Sequence, residues 1–243
     1  MMKLFIKDKI FKDDKNYPKV FKFDSSIAEV FDNMIKRSIP FYKNIQDVFC
    51  YFGRIFIKPH THDYDLGCAT GYTIKKLSKL FPDENIFYFA VDNSADMLAR
   101  AKKRLGQNYN VKYIKQDLNK KFEIKNASMV IANLVMQFLK YSARFKLLKN
   151  IYAGLNRGGA VVLVEKVFNR NIMFNRLFIN KYHLFKKSNA YSNLEIKRKD
   201  NSLKNVLKPL TVEGNIKLLK KAGFCNVEIF FCWFNFCGFI AVK

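Results

Sequence analysis

Apolar residues recur at helical spacing in two stretches near the start of the chain. Ile27, Val30, Phe31, Met34 and Ile35 fall on one face of a helix capped by Ser25 or Ser26 and ended by Pro40. Ile45, Val48, Phe49, Phe52, Ile55 and Phe56 repeat the pattern up to Pro59. The pattern then changes to alternation. A short strand, Asp63–Leu66, runs into a glycine turn, and a helix follows over Tyr72–Phe81. Asn85–Val91 is continuously apolar, as expected of a strand covered on both faces. A helix over Ser94–Leu105 with Ser94 as cap, strands at Val111–Ile114 and Ser128–Leu134, a helix over Ser142–Leu155 stopped at Asn156-Arg157-Gly158-Gly159, and a strand at Ala160–Glu165 complete the series. This order predicts a parallel sheet with helices on both faces and right-handed crossovers. Residues 167–210 break the alternation and are basic, aromatic and helix-prone. A helix over Thr211–Ala222, a stop at Gly223, and strands Asn226–Cys232 and Cys237–Val242 close the chain as a hairpin.

Composition adds limits. The 243 residues, 49% hydrophobic and 26% charged, suffice for one α/β domain with modest appendages. No stretch has the roughly 18–20 uninterrupted apolar residues of a membrane helix, and Met1–Phe11 lacks a signal-peptide core. The expected location is cytoplasmic, with no membrane partner. Five cysteines form no C-x-x-C pair, which argues against a zinc ribbon or disulfide scaffold and for reduced, packed thiols. His60, His62 and Asp63 precede a strand and read as structural rather than metal-binding, so no metal is expected. The net charge of +24 suggests a polyanion. It is mostly lysine spread along a chain rich in Asn, Ile, Phe and Tyr, so a drifted genome composition explains it as well.

The binding chemistry gathers at Asp65-Leu66-Gly67-Cys68-Ala69-Thr70-Gly71, between a strand and a helix. Glycine there lets the backbone turn sharply and approach a ligand. Asp92 ends the next strand about 20 residues on, where a carboxylate accepts hydrogen bonds from a ribose diol. Asp117 follows the third strand, where an adenine amino group would lie, and Asn133 ends the fourth. All sit at carboxyl ends of parallel strands, where open α/β sheets bind ligands. A dinucleotide would want G-x-G-x-x-G at the helix N-terminus. The turn here is Gly-Cys-Ala-Thr-Gly, which favours a nucleoside without phosphates.

These residues resemble one family, the carboxy-S-adenosyl-L-methionine synthases. The likeness runs from about Phe23 to the C-terminus. It is carried by Phe23-Asp24, Ala28 to Tyr42, Asp65-Leu66-Gly67-Cys68, Asp92-Asn93-Ser94, Asn126 to Val130, Gln137-Phe138-Leu139, Glu165-Lys166, Ser188 to Ile196 and Phe234-Asn235-Phe236. The resemblance implies an α/β, Rossmann-like methyltransferase fold: a mostly parallel seven-stranded sheet with a C-terminal antiparallel hairpin and an inserted helical segment. Its expected parts are residues 1–59 as tail and helices over the cofactor site, 60–166 as the core binding S-adenosyl-L-methionine, 167–210 as a lid or dimerisation insertion, and 211–243 as the helix and hairpin completing the sheet.

The resemblance also implies a transferase acting as a homodimer. It would convert S-adenosyl-L-methionine and prephenate to carboxy-S-adenosyl-L-methionine and phenylpyruvate. The product supplies the carboxymethyl group for tRNA wobble-uridine modification, so tRNA is a partner only indirectly. By similarity the nucleoside-binding positions are Tyr42, Gly67, Cys68, Ala69, Asp92, Asn93, Asp117, Leu118 and Asn133. No catalytic residue is assigned. The family has an arginine, given from the partner subunit, that grips the new carboxylate. Counting from Leu194-Glu195-Ile196, that position is Asp200 here, and the adjacent Arg198 and Lys199 are the candidates to replace it. Cys68-Ala69 also stands where the family has Cys-Ser. Two further readings of the same pocket remain: a conventional methyltransferase on RNA or a small molecule, and a decayed module that only binds nucleoside or RNA.

Overall fold

The computed structural model describes residues 7–12, 17–82, 85–106 and 110–243. Part of the expected N-terminal tail, residues 1–6 and 13–16, lies outside the described residues. Helices α1 (Ser25–Ser38) and α2 (Tyr42–Phe56) come first. The alternating part is β1 (His62–Leu66), α3 (Tyr72–Leu77), β2 (Phe87–Asp92), α4 (Ala95–Leu105), β3 (Val111–Lys115), β4 (Ala127–Asn133), α5 (Tyr141–Gly154) and β5 (Leu155–Lys166). Two inserted helices follow, α6 (Ile172–Ser188) and α7 (Asn193–Leu203), then α8 (Val212–Ala222), β6 (Asn226–Trp233) and β7 (Phe236–Val242).

The sheet order is β3-β2-β1-β4-β5-β7-β6. Strands β1 to β5 pair in parallel, whereas β7 runs antiparallel to both β5 and β6. The chain reverses its direction of growth between β1 and β4. That switch point opens a crevice beyond the strand ends, and the site forms there.

Side chains on β4 show how the sheet holds its helices. Met129 and Ile131 pack with Phe49, Ile74, Leu77 and Leu98 from α2, α3 and α4. Val130 and Ala132 face the other way, toward Leu147, Leu148, Ile151 and Leu219 from α5 and α8. This is the period-two consequence of a strand buried on both faces, and each fully buried aliphatic side chain contributes about 1.5–3 kcal/mol. A third cluster, Phe11, Phe21, Ile27, Val30, Met34 and Met97, fastens the N-terminal segment and α1 to α4.

Three of the boundaries that differ from the periodicity have a local cause. Asp24, not Ser25 or Ser26, caps α1: its Oδ1 accepts the Ile27 N–H at 3.1 Å and the Ser26 hydroxyl at 2.6 Å. Helix α3 stops at Leu77 instead of Phe81. Pro82 lacks an N–H and disfavours helical backbone in the residue before it, and the chain turns instead. Strand β5 begins at Leu155, so Asn156–Gly159 belongs to the sheet as an irregularity: Leu155 pairs with Ala127 and Ala160 with Met129. Among the described residues no helix is long and apolar enough to cross a membrane. All five cysteines are free; Cys68 and Cys237 are buried, but Cys225 and Cys232 are exposed rather than packed.

Candidate active site

The loop after β1 is shaped by two glycines. Gly67 has φ +70°, and a Cβ there would stand 2.5 Å from Cγ2 of Val135. Gly71 has φ +72° and abuts Ala101 and Leu105 of α4. Only glycine meets both demands at Gly67, left-handed backbone and contact with the loop after β4. Arg104 of α4 ties the turn down, donating to the Thr70 carbonyl at 3.0 Å and pairing with Asp32 of α1. The Thr70 hydroxyl donates to Asp32 Oδ1 at 2.7 Å.

Asp92 closes the loop from the next strand. Its Oδ2 accepts the Ala69 N–H and its Oδ1 the Ser94 N–H, both at 2.9 Å. Each carboxylate oxygen retains a second acceptor site, and Asp92 lines the cavity. Burial raises its pKa against the pull of the Ser94, Ala69 and Asn93 amides. The Ser94 hydroxyl caps α4 and donates to the Phe23 carbonyl at 2.5 Å, holding the N-terminal segment over the strand end.

One cavity runs along these strand ends, and Gly67, Ala69, Asp92, Asn93, Asp117, Leu118 and Asn133 all line it. The Asn133 side-chain oxygen is buried with no hydrogen-bond partner. Asp117 Oδ1 instead accepts the Asn119 backbone and side-chain N–H groups at 2.9 and 3.0 Å, which lower its pKa. Phe21, Phe23, Phe31 and Phe138 form an aromatic wall, with the Phe23 and Phe138 rings edge to face at 5.3 Å. An acceptor pair, an orphaned amide oxygen and aromatic faces, without a phosphate cradle, suit an uncharged nucleoside.

Glu165 sets the wall after β4. Its Oε1 accepts the Val135 and Met136 N–H groups at 3.1 and 2.8 Å, and its Oε2 that of Gln137 at 2.9 Å. The turn carrying Val135 and Gln137 is therefore fixed against β5.

Three expected residues stand elsewhere. Tyr42 and Cys68 are buried and do not line the cavity; Tyr42 stacks at a tilt on Tyr72, 6.1 Å away. Arg198 turns away altogether. Its guanidinium donates to the carbonyls of Phe11 and Lys12 at 3.1 and 3.0 Å and covers the Tyr17 ring, so it does not line the cavity of its own chain. Lys199, the other candidate, does line the cavity. So does Asp200, on the wall of its own chain. Lys166, Lys186 and Tyr182 join them there; the sequence marked Lys166 only as part of a family motif and the other two not at all. His60 and His62 lie at the opposite, amino end of β1, with His62 Nδ1 2.8 Å from the Lys125 carbonyl.

A family profile for a methyltransferase domain matches residues 64–159. Human N-acetylserotonin methyltransferase in complex with SAM superposes with a TM-score of 0.60 at 16% identity, covering 90% of this chain and 55% of that one. Fold and site thus define an α/β protein of the Rossmann-like methyltransferase fold. The carboxy-S-adenosyl-L-methionine synthase of Methylococcus capsulatus is 39% identical over 98% of this chain and 99% of its own length. That of Vibrio atlanticus is 37% identical over 92% and 93%. The chain belongs to the carboxy-S-adenosyl-L-methionine synthase family.

Proposed function

We propose that this enzyme converts S-adenosyl-L-methionine and prephenate to carboxy-S-adenosyl-L-methionine, phenylpyruvate and water. The observation that carries the reading is the single cavity joining the nucleoside-facing strand ends to a wall of cations, which gives two reactants a common chamber. The sulfonium supplies the chemistry by acidifying its own methyl group. Carboxylate and hydroxide lost from prephenate furnish the carbon dioxide and accept the methyl proton, so the balance closes without an outside base. The chain's own residues position and shield. Asp92 and Asn133 orient the nucleoside, Gly67 admits it close to the backbone, and the aromatic wall excludes water. Tyr42 and Cys68 act from behind the loop, Asn93, Asp117 and Leu118 beside the base.

Residues 167–210 act as lid and dimerisation segment: Ile172, Met173, Phe174, Leu177 and Leu184 leave an exposed apolar side on α6, which a second copy of the chain would cover. The enzyme works in the cytoplasm, and tRNA meets its product rather than the enzyme.

Incubation with both reactants should yield a nucleoside heavier than the substrate by one carbon dioxide, read by mass. No product at high enzyme concentration would reject the reaction, and methyl transfer to bulk tRNA without prephenate would assign a conventional methyltransferase. Asp92→Ala should weaken nucleoside binding by about 10- to 100-fold, the equivalent of a charge-assisted hydrogen bond.

A further inference from the structure

The end of the cavity remote from the glycine loop carries three lysines from three elements: Lys166 at the end of β5, Lys186 in the last turn of α6 and Lys199 on α7. The Nζ atoms of Lys186 and Lys166 stand 4.5 and 4.9 Å from the centroid of one ring, Tyr182. Lys199 Nζ donates to the Ser38 hydroxyl at 2.9 Å. Lys186 and Lys199 are almost wholly buried, at 2% and 6% exposure.

One carboxylate faces them on this wall, and it is divided. Asp200 Oδ1 accepts from Lys186 at 2.9 Å, while Oδ2 meets His183 Nε2 at 2.7 Å on the outer side. Behind Ser38, Asp8 accepts the Tyr191 hydroxyl at 2.5 Å, and its backbone carbonyl accepts from Arg37. Three lysines face Asp200, with Asp8 behind Ser38, so this buried wall carries more cationic than anionic groups. Buried charge is stable only when paired.

We propose that Lys166, Lys186 and Lys199 form a seat for the two carboxylates of a dicarboxylate co-substrate, built within one subunit. This rests on the proposed reaction, whose second reactant is such a dianion. Asp200 is a positioning residue in this seat: it fixes Lys186, and Lys166 and Lys199 are left to grip the ligand. The replacement of a family arginine by aspartate then moves the grip to neighbouring lysines instead of abolishing it. Burial and the facing cations hold Lys199 down to about 7 and Lys166 to about 8. An arriving dianion reverses that balance, so binding takes up protons at mildly alkaline pH.

The test titrates prephenate into the full-length protein loaded with S-adenosylhomocysteine, which blocks turnover. Calorimetry at pH 8 in two buffers of different ionisation enthalpy reads affinity and proton uptake together. Wild type should take up close to one proton. Lys199→Met and Lys166→Met should each weaken prephenate at least tenfold and leave nucleoside affinity within twofold. Binding without proton uptake overturns the seat, as does unchanged prephenate affinity in both variants. Should a variant lose its fold, seen as lost nucleoside affinity, the wild-type proton count still decides. Prephenate binding with proton uptake but no turnover on S-adenosyl-L-methionine would keep the seat and reject the reaction. Turnover unaffected by both substitutions would keep the reaction and reject the seat, and no prephenate binding rejects both.

Discussion

Glu165 shows what a buried carboxylate costs and what it does. Burial pushes its pKa up to about 7, against the pull of the Met136, Gln137 and Val135 amides and the Arg144 charge. Asp65 is pushed up to about 7 by burial and the charge of Asp92. In the unfolded chain both ionise near 4. Between those values the folded state binds more protons than the unfolded one, so their contribution is complete below pH 4 and is lost as pH rises toward 7. Unfolding free energy in urea should therefore fall from pH 5 to pH 6.5, by roughly 1 kcal/mol per pH unit for each such group. The window ends there because Lys199, lowered to about 7, acts with the opposite sign above it. Glu165→Gln should flatten the slope; a wild-type stability that is level or rising across the window would sink the account. Asp92 was legible in the sequence because position at a strand end suffices to aim a side chain. Arg198 was not: proximity in sequence to Asp200 says nothing about direction, and the helix sends its guanidinium to the carbonyls of Phe11 and Lys12.

At the scale of elements, local chemistry explains which parts of the insertion could be read. Ser192 and Glu195 form a reciprocal capping box at the start of α7, a signal visible as Ser-x-x-Glu. Asn171 caps α6 by accepting the Met173 and Phe174 N–H groups at 3.0 and 3.2 Å. Helix-prone composition over 167–210 thus pointed to the right structure, while the division into two helices at Asn189–Ser192 depends on Ala190 taking φ +62°. The lysine cluster was invisible for another reason: β5, α6 and α7 bring its members together only after the insertion packs back over the sheet. The same helix α6 carries the apolar side assigned to a second subunit. Leu177, 52% exposed at its middle, is a direct probe. Leu177→Glu should convert a dimer to a monomer in light scattering, since a carboxylate buried in an apolar interface costs several kcal/mol. A wild-type monomer at tens of micromolar would remove the dimer from the proposal, and a dimer indifferent to the substitution would move the interface off α6.

At the scale of the molecule, the cavity is bounded by three parts of the chain: Phe21 to Ile39 in front, the ends of β1 to β5 with the turns after β3 and β4 below, and Tyr182 to Leu207 across the far end. A ligand in it makes contact with all three at once. The N-terminal segment is held by bonds such as Ser94 to the Phe23 carbonyl, Phe21 to the Ser202 carbonyl at 3.0 Å, and Arg198 to the Phe11 carbonyl. Ligand binding to the folded state alone stabilises by about 2.7 kcal/mol at a hundredfold excess over Kd, and for a chain of this size each kcal/mol raises Tm by about 2–4 °C. S-adenosyl-L-methionine at that concentration should then raise Tm by roughly 5–10 °C. NAD at the same concentration should leave Tm unchanged, because Gly67 to Gly71 offers no cradle for a pyrophosphate and the aromatic wall replaces one. Equal shifts from both ligands would mean that the loop accepts phosphates after all, and the nucleoside orientation built on Asp92 and Asn133 would have to be abandoned.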